Sequence, residues 1–273
     1  MDIAFSRLES EVAKFVLSES IPAFANSFRR TMISDVPKLA IEDVIIYDNN
    51  SALFDEMLAH RLGLIPLKTN LSEYKKKSEC SCGGEGCSLC ESVYTLSAEG
   101  PCLVKSSDLI AQNPDAAPVT GEIPIVKLEK GQKVVLEAHA EINTGLEHAK
   151  WQSTLACGYK TYPVITIGDN CDACGNCADE CARHVLKLSK KSVEVIDGKL
   201  IDCSMCKLCE KACVGSGWED AAIRISSDNT KFVFVVESDG SLPVKEIMTY
   251  ALTDLKDKSD SLVDVLTNIS GAL

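Results

Sequence analysis

The chain has 273 residues, 45% of them hydrophobic and 25% charged, which is enough for two or three domains that each bury a core. Its net charge of −12 argues against a free-standing nucleic-acid-binding protein, because contact with phosphates needs a basic surface. No apolar run approaches the roughly 20 residues that cross a bilayer, and the first residues lack the apolar core of a secretion signal, so we expect a cytoplasmic protein whose fourteen cysteines stay reduced.

The first part of the chain predicts a hairpin followed by a helix. Short apolar alternations within residues 2–18 predict two strands that turn near residues 9–11. Apolar residues at helical spacing follow, with Pro22 in the first turn and Pro37 closing the segment. These apolar residues are Ile21, Phe24, Ala25, Phe28, Met32 and Ile33. A strand at 40–47 and a second helix that ends at Gly63 complete the pattern.

Residues 21–67 resemble the N-terminal assembly motif of the archaeal α-like family of RNA polymerase subunits. Relatives of that family are the third-largest subunit of the eukaryotic polymerases and the bacterial α subunit. The matching residues are Asn26, Arg29 and Arg30 on the first helix, and the segment HRLGLIP at 60–66. The amphipathic pattern alone is equally consistent with a helix that packs only in its own core. The resemblance implies a heterodimer with a small α-like subunit.

A short cysteine loop, residues 80–90, contains Cys80, Cys82, Cys87 and Cys90 together with three glycines. Four thiolates that leave no open coordination position are typical of a structural zinc site. The family often has a zinc loop at this place. The alternative is a set of unligated or partly oxidised thiols in an exposed loop.

The segment after this loop predicts an all-β region, with strands at 92–97, 102–106, 123–128 and 133–142. Residues 136–152 resemble the family's segment that leads to a Lys–Trp pair, here Lys150 and Trp151. Cys102 and Cys157 are interpreted as buried free thiols.

Two runs of four cysteines follow, and each member of the second run lies 32 residues after its counterpart. The first run is Cys171, Cys174, Cys177 and Cys181; the second is Cys203, Cys206, Cys209 and Cys213. Three thiols at steps of three and a fourth after four are typical of a [4Fe–4S] cluster loop. A pair of zinc ribbons or disulfides is the alternative, although zinc sites prefer two spaced pairs.

The two runs resemble a two-cluster bacterial ferredoxin, in which the fourth cysteine of each run binds the other cluster. The resemblance implies that Cys171, Cys174, Cys177 and Cys213 hold cluster 1, and that Cys203, Cys206, Cys209 and Cys181 hold cluster 2. Ala182 and Val214 stand where ferredoxins have proline, which leaves the ligands intact. Small strands are expected at 185–188 and 193–201, and a helical turn is expected to begin at each fourth cysteine.

The C-terminal part predicts a strand at 231–237 and then the longest helix of the chain. Its apolar face continues over about 25 residues, or about 38 Å, which is too long for a small domain to cover and favours a partner helix. In the polymerase family this helix and the N-terminal one form the dimer interface. The predicted interface residues are Phe24, Phe28, Met32, Ile247, Met248, Ala251, Leu252, Leu255 and Leu262.

These patterns predict an α+β protein of three parts. Residues 1–42 and 225–273 form a discontinuous dimerisation domain of sheet plus long helices. Residues 43–168 form an inserted β-rich domain with the zinc-like loop, and residues 169–224 form an inserted ferredoxin-like domain with two [4Fe–4S] clusters.

Two functions compete at this point. The resemblance implies an assembly subunit of archaeal DNA-dependent RNA polymerase, which contacts the small α-like subunit, other small subunits and the large catalytic subunits. No aspartate-rich loop for two-metal chemistry is present, so the chain itself is not expected to be catalytic. Because its net charge is −12, it is not expected to bind DNA directly either. The clusters would then stabilise or regulate assembly. The alternative is a ferredoxin-type electron carrier, although no glycine-rich dinucleotide motif accompanies the clusters.

Overall fold

The computed structural model describes residues 1–214 and 221–270. The predicted domains 169–224 and 225–273 therefore include residues 215–220 and 271–273, which lie outside the described part. Contacts divide the chain into two compact units, each built from separate stretches of sequence. The first unit is Met1–Ser6, Lys14–Ala25 and Tyr159–Phe234; the second is Arg7–Ala13, Asn26–Gly158 and Val235–Leu273.

The described residues form strands and helices in mixed order, so the predicted mixture of α and β structure is confirmed. The strands are β1 Asp2–Leu8, β2 Val12–Ser18, β3 Pro37–Asn49, β4 Glu91–Glu99, β5 Cys102–Lys105, β6 Ile110–Ala111, β7 Pro124–Leu128, β8 Lys133–Thr144, β9 Thr154–Ile167, β10 Leu186–Leu188, β11 Val193–Val195 and β12 Ile223–Ser238. The helices are α1 Pro22–Ser34, α2 Asp55–Gly63, α3 Asn176–Asp179, α4 Leu208–Val214 and α5 Val244–Ser270.

One four-stranded sheet joins strands from both ends of the chain in the order β1-β2-β12-β9. The predicted hairpin at residues 2–18 is confirmed, and its turn is closed by the Glu9 amide, which donates to the Val12 carbonyl at 2.9 Å. Phe15 stacks on Phe234 with ring centroids 5.0 Å apart. Apolar alternation on β2 and β12 thus builds one face of this sheet.

Strand β9 has no counterpart among the predicted strands, and its residues fall in the predicted β-rich domain 43–168. In the structure β9 instead pairs beside β12 in the sheet with the terminal strands. Most of its side chains are half-buried, so the strand shows no clean alternation of apolar and polar residues. Alternation of apolar and polar residues identifies a strand only when one face is buried and the other is exposed to solvent, so it does not identify β9.

A second sheet in the order β3-β8-β4-β6 carries the core of the second unit. Strand β8 alternates half-buried and buried residues over its whole length. Helix α2 packs against β3 and contributes the fully buried Leu58 and Leu62 to the core, where Leu39, Ile41 and Tyr94 also lie. The Tyr94 hydroxyl donates to the Ala116 carbonyl at 2.6 Å, so the polar end of this buried ring is satisfied.

Helix α5 spans 27 residues and confirms the long helix that the sequence predicts. Its first turns are buried, with Val244, Ile247 and Ala251 each at 0% exposure. From Leu252 onward its large apolar side chains are half-buried or exposed. None of the helices in the described residues combines the length and apolar character that crossing a membrane requires.

A buried ion pair joins the start of β3 to the turn that precedes α5. The side chains of Lys38 and Asp239 are only 6% and 9% exposed and are in direct contact. The Lys38 ammonium also donates to the Gln152 carbonyl at 3.2 Å, and Asp239 accepts from the Ser241 amide at 3.0 Å. The charges therefore remain hydrogen-bonded on both sides, which a buried pair requires.

Replacing Lys38 with Met removes one partner and leaves the Asp239 carboxylate buried without its cation. We expect Lys38→Met to lower the free energy of unfolding by about 3–5 kcal/mol. The exposed pair Lys133–Asp48, with its charged atoms 3.9 Å apart, provides the control, since Lys133→Met should cost less than about 1 kcal/mol. Urea denaturation of the two variants measures the difference, and equal losses would contradict a stabilising role for the buried pair.

Candidate metal centres

The four cysteines of the short loop converge on one point. The Sγ atoms of Cys80 and Cys87 are 3.5 Å apart, those of Cys82 and Cys90 are 3.6 Å apart, and those of Cys87 and Cys90 are 3.8 Å apart. A tetrahedral zinc ion with Zn–S bonds of about 2.3 Å places its sulfur ligands about 3.8 Å apart. A disulfide needs about 2.05 Å, and all four cysteines are free. The donor set and its spacing therefore fit zinc.

Backbone conformation explains why this loop closes on itself. Gly83, Gly84 and Gly86 have φ angles of 71°, 91° and 95°, in the left-handed region that glycine adopts without strain. The Cys87 amide donates to the Cys90 sulfur at 3.3 Å. The glycines thus reverse the chain, and an amide is left pointing at a sulfur ligand.

The thiols of the loop differ in their electrostatic surroundings. Burial raises the pKa of Cys90 to about 12. A hydrogen bond from the backbone of Gly84, supported by Cys80, lowers the pKa of Cys82 to about 6. Four neighbouring thiolates repel one another, so the fully ionised set needs a bound cation, which also makes metal affinity depend on pH.

A charged network that the sequence does not predict holds both ends of the loop. The Lys77 ammonium lies 3.2 Å from Glu141 and 3.4 Å from Glu91, and His139 contacts Glu91. The sequence indicates only a solvated lysine run at 75–77, because the two carboxylates lie on strands farther along the chain. Lys77 just precedes Cys80 and Glu91 follows Cys90, so the network fixes the loop against the sheet of β4 and β8.

The two longer cysteine runs repeat their backbone conformation as well as their sequence. Ala173 and Met205, which occupy equivalent positions, have φ angles of 56° and 55°. Gly175 and Lys207, also equivalent, have φ angles of 84° and 61°. Residues other than glycine are uncommon in this region, so the repeated left-handed turns show that each run curls in the same way.

The helices in these runs begin earlier than predicted. The sequence predicts a start at the fourth cysteine of each run, but α3 and α4 both begin one residue before the third, with Cys177 and Cys209 in their first turns. Cys181 lies beyond α3, and Cys213 lies near the end of α4. The left-handed residue before each helix reverses the chain immediately before the third cysteine, which moves the helix start forward.

Cysteines of both runs lie near one another in two groups, each with three members from one run and the fourth from the other, and these groups are called the crossed sets. A cavity of about 180 Å³ is lined by Cys181, Cys203, Cys206 and Cys209. Apolar side chains complete its wall, namely Ile165, Val185, Leu186, Leu208 and Ile225.

The other set gathers around the buried Cys177. Burial raises the pKa of Cys177 to about 11, and the nearby thiols of Cys213, Cys174 and Cys171 add to this effect. Cys213 comes from the second run, so this set is also crossed. Burial likewise raises the pKa of Cys209, which lines the cavity of about 180 Å³, to about 11.

The spacing of these sulfur atoms differs from that of the short loop. Within residues 1–214 and 221–270, only the Cys80–Cys90 group brings such ligand atoms within 4.8 Å of one another. Backbone amides of Val185, Met205 and Ala222 donate to Cys181, Cys203 and Cys213 at 3.2–3.4 Å, which suits sulfur ligands of a cluster.

Comparison with known proteins gives matches over nearly the whole chain. Residues 14–259 match the sequence model of the RNA polymerase Rpb3/Rpb11 dimerisation domain. The chain is 47% identical to DNA-directed RNA polymerase subunit Rpo3 of Methanosarcina mazei, covering 98% of this chain and 99% of that protein. It is 42% identical to the Rpo3 subunit of Archaeoglobus fulgidus, covering 94% of each chain. The chain belongs to the Rpo3 family.

The predicted interface residues divide into two groups in this Rpo3-family fold. Phe28, Met32, Ile247, Met248 and Ala251 are at most 6% exposed, so they belong to the core of this chain. Phe24 and Leu255 are half-buried, whereas Leu252 and Leu262 are 36% and 59% exposed. The sequence does not separate the groups, because core and interface residues share one helical stripe.

We expect serine substitutions in the short loop to remove zinc. Cys82→Ser or Cys87→Ser should lower the zinc content of the purified Rpo3-family chain from about one ion per chain to near zero, because a structural site needs all four ligands. Metal analysis by mass spectrometry measures this. Cys102→Ser is the control, since Cys102 lies outside the loop and is exposed, so its interpretation as a buried thiol was wrong. Full zinc in Cys82→Ser and Cys87→Ser would contradict the assignment.

The crossed sets give a second prediction. On the ferredoxin resemblance, which implies two clusters of four irons each, Cys209→Ser should reduce the anaerobic iron and sulfide content from about eight of each to about four or fewer. Cys157→Ser is the control, because its thiol is half-buried and its sulfur contacts the Arg29 carbonyl. Equal iron in the two variants would show that Cys209 is not a ligand.

Proposed function

We propose that this chain is a non-catalytic assembly subunit of archaeal DNA-dependent RNA polymerase. Its relatives are named as polymerase subunits and align over nearly its whole length. The observation that carries the proposal is the family match over residues 14–259, which includes α1 and most of α5. The proposed partners are a small α-like subunit, further small subunits and the large catalytic subunits. The proposed location is the cytoplasm, and no direct contact with DNA is assigned.

The surface offered to the small subunit is the distal part of α5. Successive residues of a helix are about 100° apart, so Leu252, Leu255, Leu262, Leu266 and Ile269 fall on one stripe. Leu262, Leu266 and Ile269 are 59%, 55% and 56% exposed in the isolated chain. Covering a fully exposed leucine contributes about 1.5–3 kcal/mol. A partner helix with a similar stripe would therefore bind strongly here.

We further propose that the cysteine sets have structural roles in this platform. Zinc held by Cys80, Cys82, Cys87 and Cys90 would supply a cross-link within this loop. Two [4Fe–4S] clusters, held by the crossed sets, would supply the centre of the inserted domain. Of the core residues there, Cys177, Cys209 and Cys213 are themselves buried. The chain's own contribution is to present the thiols and to donate amides to them.

A dependence of assembly on iron follows from this arrangement. Loss of a cluster would leave the small core of Leu186, Val193, Ile223 and Ile225 without its sulfur neighbours, so the inserted domain would loosen. The competing role of electron carrier accounts for the cysteine runs only. It assigns no function to the exposed stripe of α5 or to the short cysteine loop.

The interface proposal is tested by a charge on the stripe. Leu262→Asp should abolish co-purification with the co-expressed small α-like subunit while the isolated chain keeps its fold, because Leu262 is exposed. Thr267→Asp places the same charge on another face of the helix and should leave the complex intact.

Retention of the small subunit by Leu262→Asp would contradict the assigned interface. Failure of the unaltered chain to bind that subunit, together with reduction of the clusters by a cellular electron donor, would favour the electron carrier.

A further inference from the structure

The two cysteine runs share one backbone but carry different charges. Residues 169–180 contain four acidic residues and no basic one: Asp169, Asp172, Asp179 and Glu180. The equivalent residues 201–212 contain two of each sign: Asp202, Glu210, Lys207 and Lys211. The local charge therefore changes from −4 in the first run to zero in the second. Because the sets are crossed, Asp179 and Glu180, which precede Cys181, are counted with the second set, and Asp169 and Asp172 remain with the first.

Further cations lie beside the second set. The Lys160 ammonium donates to the Cys203 carbonyl. Arg183 and Lys207 line the same cavity as the four cysteines. Lys14 is paired with Asp202, so the carboxylate next to Cys203 is itself neutralised.

Burial of the first three cysteines is closely matched between the runs. Cys177 and Cys209 are 6% and 8% exposed, and their equivalents one step earlier, Cys174 and Cys206, are both exposed. The first cysteine of each run has intermediate exposure. The fourth cysteines differ, since Cys213 beside Cys177 is buried and Cys181 beside Cys209 has intermediate exposure. The set around Cys177 is therefore the more enclosed one, which disfavours the additional negative charge of a reduced cluster and acts in the same direction as the local charges.

A [4Fe–4S] cluster with four thiolates gains one negative charge when it takes up one electron. Nearby positive charge stabilises the reduced form and raises the reduction potential, whereas nearby carboxylates lower it. We propose that the two clusters have different reduction potentials, and that the cluster of Cys181, Cys203, Cys206 and Cys209 has the higher one. The first electron would go to this cluster. The inference rests on the proposed occupancy of both sites.

The test is an anaerobic redox titration of the full chain with dithionite, followed by electron paramagnetic resonance of the reduced clusters. Two separated midpoints are expected. Lys160→Met should shift the higher midpoint downward and leave the lower one in place, whereas Lys160→Arg should preserve both because the charge is kept. Asp172→Asn should raise the lower midpoint. Lys187→Met is the matched control, since Lys187 pairs with Glu194 in the β10–β11 hairpin.

Iron and sulfide counts on the same samples separate the possible failures. Coincident midpoints at full iron content, or a Lys160→Met shift confined to the lower midpoint, would overturn this inference alone. Wild-type chain with iron for fewer than two clusters after anaerobic reconstitution would overturn both this inference and the proposed cofactors. Neither result tests binding of the small α-like subunit, which the Leu262→Asp variant tests separately.

Discussion

Buried sulfur is the constraint on which the cysteine-rich segments of this protein depend. A thiol that is removed from water resists ionisation, as Cys90 and Cys177 show through their raised pKa values. Yet the short loop places four thiols together, and three of their sulfur–sulfur distances are 3.5–3.8 Å. A cation at the centre resolves this conflict, because it compensates several thiolates at once. With the proposed metals bound, metal binding and local folding would be one equilibrium.

The terminal segments depend on a different force. The first turns of α5 are buried in the chain, whereas its distal part extends an apolar stripe to solvent. Water penalises that exposure, and a partner helix would remove it. On the proposed function, the chain combines segments whose order would come from metal–sulfur bonds with a helix that another protein would complete. The Rpo3 relatives align across both kinds of segment, which fits a single platform rather than a carrier with appended helices.

Much of this architecture is readable from the sequence where the signal is local. The 32-residue cysteine repeat, the hairpin at residues 2–18 and the stripe of α5 each repeat at a fixed spacing. Features that depend on contacts between residues far apart in the sequence cannot be predicted from such local spacing. Strand β9 is half-buried on both faces, and Lys77 finds Glu141 only after β8 has folded beside β4. The early start of α4 escapes prediction because the left-handed residue before it, Lys207, is not a glycine.

The central claim is that one chain joins metal-held insertions to a partner-binding helix. Native mass spectrometry of the chain co-expressed with the small α-like subunit, kept free of oxygen, measures both features in one spectrum. The account predicts a one-to-one complex whose mass includes one zinc ion and two [4Fe–4S] clusters. A chain that carries its clusters but remains without the small subunit would contradict the account.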